Sequence, residues 1–356
     1  MLSSFGVRNF RCFAELEIAN LKRVNIVVGR NAAGKTAFLE AVRLALGGTP
    51  VVLFSLNQNR QLNTYIPTPA TRDQFETYWK SYFYNFDSSN PISTSCFDSG
   101  GAKAELKIYY DPERAITTAP QQQLGAMIST IIPLAFERTD FQGRRSKLYA
   151  SIQPQNGQLL LEPGEDIGLA AEFFPSTWFY NPMQNVLLFS KLSVQNQEHE
   201  VVRTLKDEFP AYIDSLSVLA PSANQLPSIF ATNRSLVEKL PLSLVSAGIN
   251  KFFTIVAAIS SYQRGVVLID EIENGFYYER LPALWKNIMK LTKESDAQVF
   301  ASTHSMECLR ALKPIFKEHL EEIRLIRLDN NGSKSSGTVF SGEKFESAIS
   351  QDIDVR

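Results

Sequence analysis

Gly29, Gly34, Lys35 and Thr36 follow the spacing G-x-x-x-x-G-K-[ST], with Arg30, Asn31, Ala32 and Ala33 between the glycines. That pattern is suited to phosphate. Backbone N–H groups of such a loop and the positive end of the next helix form an anion cradle. Lys35 can reach β/γ-phosphates and the Thr36 hydroxyl can hold Mg²⁺, so residues Asn31 to Thr36 are expected to bind a nucleoside triphosphate, ATP. A second constellation lies about 235 residues on, where the apolar run Val266-Val267-Leu268-Ile269 leads into Asp270 and Glu271. A buried parallel strand that delivers acids at its C-terminal end is the Walker B arrangement. Asp270 is expected to bind Mg²⁺ through its water shell and Glu271 to polarise the attacking water; the competing reading is a helix N-cap. Ala297 to Ser302 is a second buried-strand pattern, followed by His304. His304 is placed after Walker B as a γ-phosphate sensor would be, although a lone histidine after a strand is often structural.

The elements that must position these groups are legible nearby. Val24 to Val28 reads as a short buried strand, and Ala37 to Leu46 has apolar residues at helical spacing. The first 47 residues read as two strands feeding the loop and its helix. Leu281, Leu284, Trp285, Ile288 and Leu291 mark a helix with one apolar face, the right-handed crossover a parallel sheet needs. Upstream, Ser246 is a fitting N-cap for a helix carrying Ile249, Phe252, Phe253, Val256 and Ile259. With Gly248 beside it, that helix start could approach a phosphate held by another subunit.

Between these ends the pattern is looser. Arg72 to Phe86 predicts a helix with Trp79 and Phe83 on one side, and Ala102 to Tyr110 alternates as a half-exposed strand. Lys147 to Ile152 and Gly157 to Leu161 resemble a hairpin around Pro154-Gln155-Asn156. Ala115 to Gln123 reads as a loop, and Gln195 to Ser215 as a charged amphipathic helix broken near Pro210. The chain is long enough, at 356 residues, for about two domains or subdomains. Its 36 basic and 37 acidic residues balance, so a nucleic-acid contact would need a local patch such as Gly143-Arg144-Arg145-Ser146-Lys147, and such runs are mostly solvated surface. Three cysteines (Cys12, Cys96, Cys308) have no metal-ligand spacing and suit a reducing compartment. There is no signal-peptide core and no apolar stretch of 18 residues, so a cytoplasmic protein without a membrane partner is expected.

In this order the motifs resemble the ABC-type ATPase fold and, within it, the OLD-like AAA ATPases related to RecF and the SMC-like repair ATPases. The residues that carry the resemblance are Val7 to Phe13, Val24 to Thr36, Leu39-Glu40-Ala41, Ser246-Ala247-Gly248, Leu268 to Gly275 and Ser302 to Ser305. They cover about a quarter of the chain, at both ends. The resemblance implies an α/β P-loop NTPase with a mostly parallel core sheet, an antiparallel β lobe and a helical subdomain. Residues 1–50 and 235–356 would form the ATP-binding core, and 51–234 an inserted β lobe and helical region. It also implies ATP hydrolysis, with Glu271 and His304 as the catalytic pair, in a head-to-head homodimer. Ser246 and Gly248 would contact the partner's γ-phosphate, and Asn274 would lie in the D-loop crossing the interface. Arg11 and Cys12 match positions on the adenine side. Gln184 is the candidate Q-loop residue, a further metal contact with Thr36 and Asp270, or else an ordinary exposed turn residue.

The sequence departs from the pattern in three places. Phe276-Tyr277-Tyr278 replaces a Leu-His-Pro-like stretch, and Asn250 stands near where transporter ATPases have a signature glutamine. Only about 50 residues follow His304, too few for the TOPRIM nuclease domain of full-length OLD proteins, and Lys35 and Asp270 enclose no heptad-bearing coiled coil. The expectation is therefore a stand-alone ATP switch that regulates a separately encoded effector, a nuclease or toxin, in prokaryotic antiviral defence. The alternative is a RecF-like repair ATPase that binds duplex DNA.

Overall fold

The computed structural model describes residues 1–62, 72–118, 129–153, 158–167, 169–176, 182–222, 225–233, 237–331, 335–351 and 353–355. Three strands, not two, precede the P-loop: β1 (Leu2–Phe10), β2 (Phe13–Ile18) and β3 (Val24–Val28). The first two join β4 (Ile92–Asp98), β5 (Lys103–Tyr110), β8 (Leu134–Thr139), β9 (Arg145–Ile152) and β10 (Leu159–Leu161) in an antiparallel sheet ordered β10-β9-β8-β5-β4-β1-β2. β3 belongs to a second sheet, with β11 (Ala171–Phe174), β15 (Val266–Ile269), β16 (Gln298–Ser302), β17 (Ile323–Asn330) and β18 (Ser335–Ser341), ordered β11-β15-β16-β3-β17-β18. All of its pairs are parallel except β17–β18. A ribbon of β6 (Ile116–Thr118) and β7 (Ser129–Ile131) and a small sheet of β12 (Ser215–Leu219), β13 (Ser228–Thr232) and β14 (Leu240–Pro241) complete the strands described. The fold is α/β, with a mostly parallel core sheet, an antiparallel β lobe and a helical part, as expected.

The register of the core sheet explains how distant motifs meet. Ile26 of β3 lies opposite Ala301 of β16, which in turn lies opposite Ile269 of β15. The three strands therefore end level, and their C-terminal ends deliver the P-loop, Asp270-Glu271 and Ser302-Thr303-His304 to one edge. Ligands bind at that edge in open α/β sheets.

Both faces of this sheet are covered, which is why β15 is an unbroken apolar run and every residue of β3 and β16 is buried. One face presents Val27, Leu268, Phe300 and Ile326 to α1 (Lys35–Gly47) and the antiparallel sheet. Phe38 of α1 bridges the two layers, edge-on to Phe5 at 5.6 Å and 6.2 Å from Phe300. α2 (Pro50–Asn59) and α3 (Arg72–Lys80) extend this core. The other face presents Ile26, Val267, Ile269, Val299 and Ala301 to α4 (Pro182–Val194), α5 (Glu198–Glu208), α7 (Ala247–Ser261), which follows the short α6 (Leu242–Val245), and α8 (Leu281–Glu294). α9 (Met306–Arg310), α10 (Lys313–His319) and α11 (Gly342–Ser350) close its lower end.

Several local expectations shift. The helix expected over Arg72 to Phe86 ends at Lys80, because the Arg11 N–H captures the Tyr82 carbonyl at 2.7 Å and Phe83 pairs with Phe10 as a β-bridge. Trp79 and Phe83, expected on one side of that helix, are both buried, but Phe83 lies beyond its end. Ile116–Thr118, expected in a loop, pairs with Ser129–Ile131; the rest of that expectation lies outside the described residues. β9 and β10 pair antiparallel as the hairpin reading requires, and the Pro154 to Asn156 turn lies outside the described residues. The helix expected from Gln195 is Glu198–Glu208, and the chain then enters β12 at Ser215. The sheets also interleave along the sequence. β1 and β2 belong to the antiparallel sheet although they precede the P-loop, and β11, within 51–234, is an edge strand of the core sheet.

Candidate functional site

Gly34 sits at a φ of 98° where α1 begins, and a Cβ there would lie 2.7 Å from Cys12 Sγ and 2.9 Å from the Phe13 ring. Glycine is needed on both counts. Ala32 also takes a left-handed φ, 63°. Lys35 Nζ donates to the Gly29 carbonyl at 2.8 Å and the Arg30 carbonyl at 3.3 Å, which keeps the ammonium over the loop. Burial pulls its pKa below the ordinary lysine value, while Asp270, Glu271 and Glu273 pull it the other way.

Walker A and Walker B touch directly. Thr36 Oγ1 donates to Asp270 Oδ2 at 2.9 Å, and Ser302 Oγ donates to Asp270 Oδ1 at 2.5 Å. The same Ser302 oxygen accepts the Glu271 N–H at 2.8 Å. Burial raises the Asp270 carboxyl, the Ser302 and Thr36 hydroxyls pull it back, and the charge of Glu271 adds to the rise. A threonine hydroxyl beside a buried carboxylate, both hard oxygens, fits Mg²⁺, which takes few protein ligands and completes its shell with phosphate and water. Among the described residues no group of three or more His, Cys, Asp or Glu could hold a metal without such help.

Glu271 has a left-handed φ of 47°. Lys251, buried on α7, donates from Nζ to the Glu271 carbonyl at 2.8 Å, and the Asn274 side-chain amide donates to Glu271 Oε2. Burial pulls the Lys251 ammonium down to about 7, against the charges of Glu273 and Glu271. Glu273 in turn accepts the His304 N–H at 3.0 Å and lies 3.2 Å from His304 Nδ1.

Arg11, Cys12, Asn31, Ala32, Gly34, Lys35, Thr36, Asp270 and Glu271 line one cleft of about 600 Å³, within the range of small-ligand sites. Ala33 is buried behind the loop. Arg11 lines the cleft but is committed elsewhere: its Nε is 2.7 Å from Glu40 Oε2 and its guanidinium lies 4.7 Å from the Tyr82 ring centre. Arg60 holds the same buried Glu40 at 2.7 and 2.9 Å. Ser246 caps α7 through the Ile249 N–H, and a Cβ on Gly248 would lie 2.8 Å from the Gly275 carbonyl, so α7 starts against the turn that holds Asn274 and Gly275. Ser246, Gly248, Asn274 and His304 do not line the cleft themselves. Gln184 is half-buried on the first turn of α4 and is also outside the lining; Phe179 to Asn181 before it lie outside the described residues.

The sequence reading missed Arg60, Ser81, Phe83, Asn85 and Phe86 as lining residues of the cleft. No spacing advertises them, since tertiary packing of the β lobe brings them in. Ser302 and Lys251 were more accessible. One is a polar residue ending an apolar strand, the other a lysine among Ile249, Phe252 and Phe253.

Residues 5–132 match the family described as AAA domain, and residues 136–310 match the family described as AAA domain, putative AbiEii toxin, Type IV TA system. The chain is 24% identical over 350 residues to a protein of Helicobacter pylori named ATP/GTP phosphatase, covering 89% of each. Among solved structures it is similar to an Smc head bound to the C-terminal winged-helix domain of ScpA, with a TM-score of 0.51 at 12% identity, covering 96% of this chain and 97% of that one. Fold and site together define a P-loop ATPase whose fold is similar to that of an SMC head. No helix among the described residues is long and apolar enough to cross a membrane.

Proposed function

We propose that the chain binds ATP between two head-to-head copies, hydrolyses it to ADP and phosphate, and acts as a switch on a separately encoded effector. The observation that carries the hydrolytic part is the hydrogen-bonded line from Thr36 through Asp270 and Ser302 to the backbone of Glu271. It joins phosphate binding to a carboxylate at a cleft wall. Asn31 to Thr36 would cradle the phosphates, with Lys35 leaving the Gly29 and Arg30 carbonyls for the β- and γ-phosphates. Thr36 and Asp270 would hold Mg²⁺, which when bound neutralises charge on the β- and γ-oxygens. Glu271 would accept the proton of the attacking water as the bond between the γ-phosphorus and the β–γ bridging oxygen breaks.

The placement of Asn274 supports the dimer. It orients Glu271 from the D-loop, and Ser246 and Gly248 open α7 next to that loop. A partner that pressed on this region would reset the carboxylate, so closure and hydrolysis would be coupled. His304, fixed by Glu273, would sense the γ-phosphate; Gln184, Arg11 and Cys12 complete the proposed site from the metal and base sides. The match to a family named for a toxin system supports an effector partner in defence, and the OLD-like branch is the reading most consistent with the Asp270 to Gly275 run. The phosphatase relative extends the substrate proposal to GTP. Two of the three cations of the basic run are paired within the chain, Arg144 with Asp140 at 2.5 Å and Lys147 with Asp111 at 2.6 Å, which weighs against DNA.

Phosphate release by the parent, Lys35→Ala and Glu271→Gln tests the reading. Lys35→Ala should lose binding and turnover together. Glu271→Gln should keep ATP and lose roughly 10²–10⁴ in rate, the usual worth of a general base. Turnover of Glu271→Gln at the parent rate would end the assignment.

A further inference from the structure

Besides the P-loop and the two acids, the cleft is lined by the turn after α3, where Phe86 has 61% of its surface exposed. An isolated exposed phenylalanine needs no explanation. This one is held in place by unusual backbone: Asn85 and Phe86 have φ values of 50° and 59°. Left-handed backbone is uncommon outside glycine and an outlier for a bulky side chain, and it persists only where surrounding contacts impose it.

Those contacts are present, and they come from the turn that also lines the cleft. Asn9 Nδ2 donates to the carbonyls of Asp87 at 3.3 Å and Asn90 at 2.7 Å. The Arg11 N–H holds Tyr82 O at 2.7 Å, and Phe10 bridges to Phe83. Asn9 and Arg11 are themselves left-handed, at 54° and 49°. Two strained turns are thus locked together, and the result is an aromatic face fixed in water beside a cleft of nucleotide size. Hydrophobic burial alone would have turned that ring inward.

We propose that Phe86 is the base-stacking residue of the cleft and takes the purine ring of a bound nucleoside triphosphate on its face. This rests on reading the cleft as a triphosphate site and adds what selects the base. Glu40 neutralises much of the charge of Arg11 and Arg60 in the cleft, and the exposed ring face of Phe86 offers an apolar contact that neither guanidinium supplies. Stacking is indifferent to the exocyclic groups that distinguish adenine from guanine, because every base has a π-face. ATP and GTP are therefore bound alike, and the smaller rings of CTP and UTP less well.

Equilibrium binding of ATP, GTP, CTP and inorganic tripolyphosphate, the probe without a base, tests this in the full chain. Phe86→Ala should weaken ATP and GTP by the same factor, on the order of 5- to 100-fold, and leave tripolyphosphate unchanged; Phe86→Trp should restore both nucleotides. The proposal is overturned if Phe86→Ala binds ATP as the parent does, if ATP weakens and GTP does not, or if tripolyphosphate weakens equally. Lys35→Ala separates this from the underlying reading: tripolyphosphate bound as tightly as by the parent would remove the phosphate site itself.

Discussion

Ser302 shows how much can depend on one hydroxyl. It donates to Asp270 and accepts from the backbone of Glu271, so a single oxygen fixes both the acid proposed to hold the metal and the acid proposed to activate water. Ser302→Ala should lower kcat on the order of ten- to a hundredfold, the worth of a hydrogen bond to a charged group, with a smaller change in ATP affinity; steady-state kinetics measure both. Glu40 is the structural counterpart. Its carboxylate is fully buried between Arg11 and Arg60. Glu40→Gln leaves Arg11 charged, buried and uncompensated, and should cost about 3–5 kcal/mol in urea unfolding. Arg60→Ala should cost less, because Arg60 is 37% exposed and Arg11 still neutralises the acid. At this scale the sequence announced Lys35, Thr36, Asp270 and Glu271 because their spacing is local. It was silent on Glu40 as an ion-pair centre, since Arg11 and Arg60 approach it from separate elements.

At the scale of elements, α7 is the one that ties the parts together. It begins at Ser246, sets Gly248 against the D-loop and, one turn on, places Lys251 on the Glu271 carbonyl. Lys251→Met should keep ATP binding and slow hydrolysis about tenfold or more, since the left-handed backbone of Glu271 loses its only buried cationic donor described here. The same variant carries a pH test. Burial lowers Lys251 from 10.5 to about 7, so between those values the unfolded chain binds more protons than the folded one. Stability at this residue therefore rises with pH across that window, and Lys251→Met should flatten the rise in unfolding free energy. The buried strands and amphipathic helices around the site were legible because 3.6- and 2-residue periods survive in the sequence. The end of α3 was not. Its chain leaves the helix to pair with Phe10 and Arg11, contacts about 70 residues away in sequence that periodicity does not encode.

For the whole molecule, the strands interleave between two sheets, so a linear boundary near residue 50 does not follow either layer. β1 pairs with both β2 and β4 in one sheet while β3 enters the other, and α1 lies between them with Phe38 touching both. The cleft takes one wall from each part: P-loop and Walker B from the core edge, Phe86 and its neighbours from the lobe side. Such an arrangement suits a switch, because nucleotide bound in the cleft contacts both parts and can bias their relation. Closing two copies over it would extend the same logic across a molecular two-fold, with Ser246 and Gly248 of each reaching the γ-phosphate of the other. Sedimentation of Glu271→Gln with and without Mg-ATP tests this most directly. The account predicts a monomer without nucleotide, a dimer with ATP, and loss of that dimer on Ser246→Arg with single-copy ATP binding retained. A chain that stays monomeric with ATP bound at saturation, while the parent still hydrolyses it, would contradict the account.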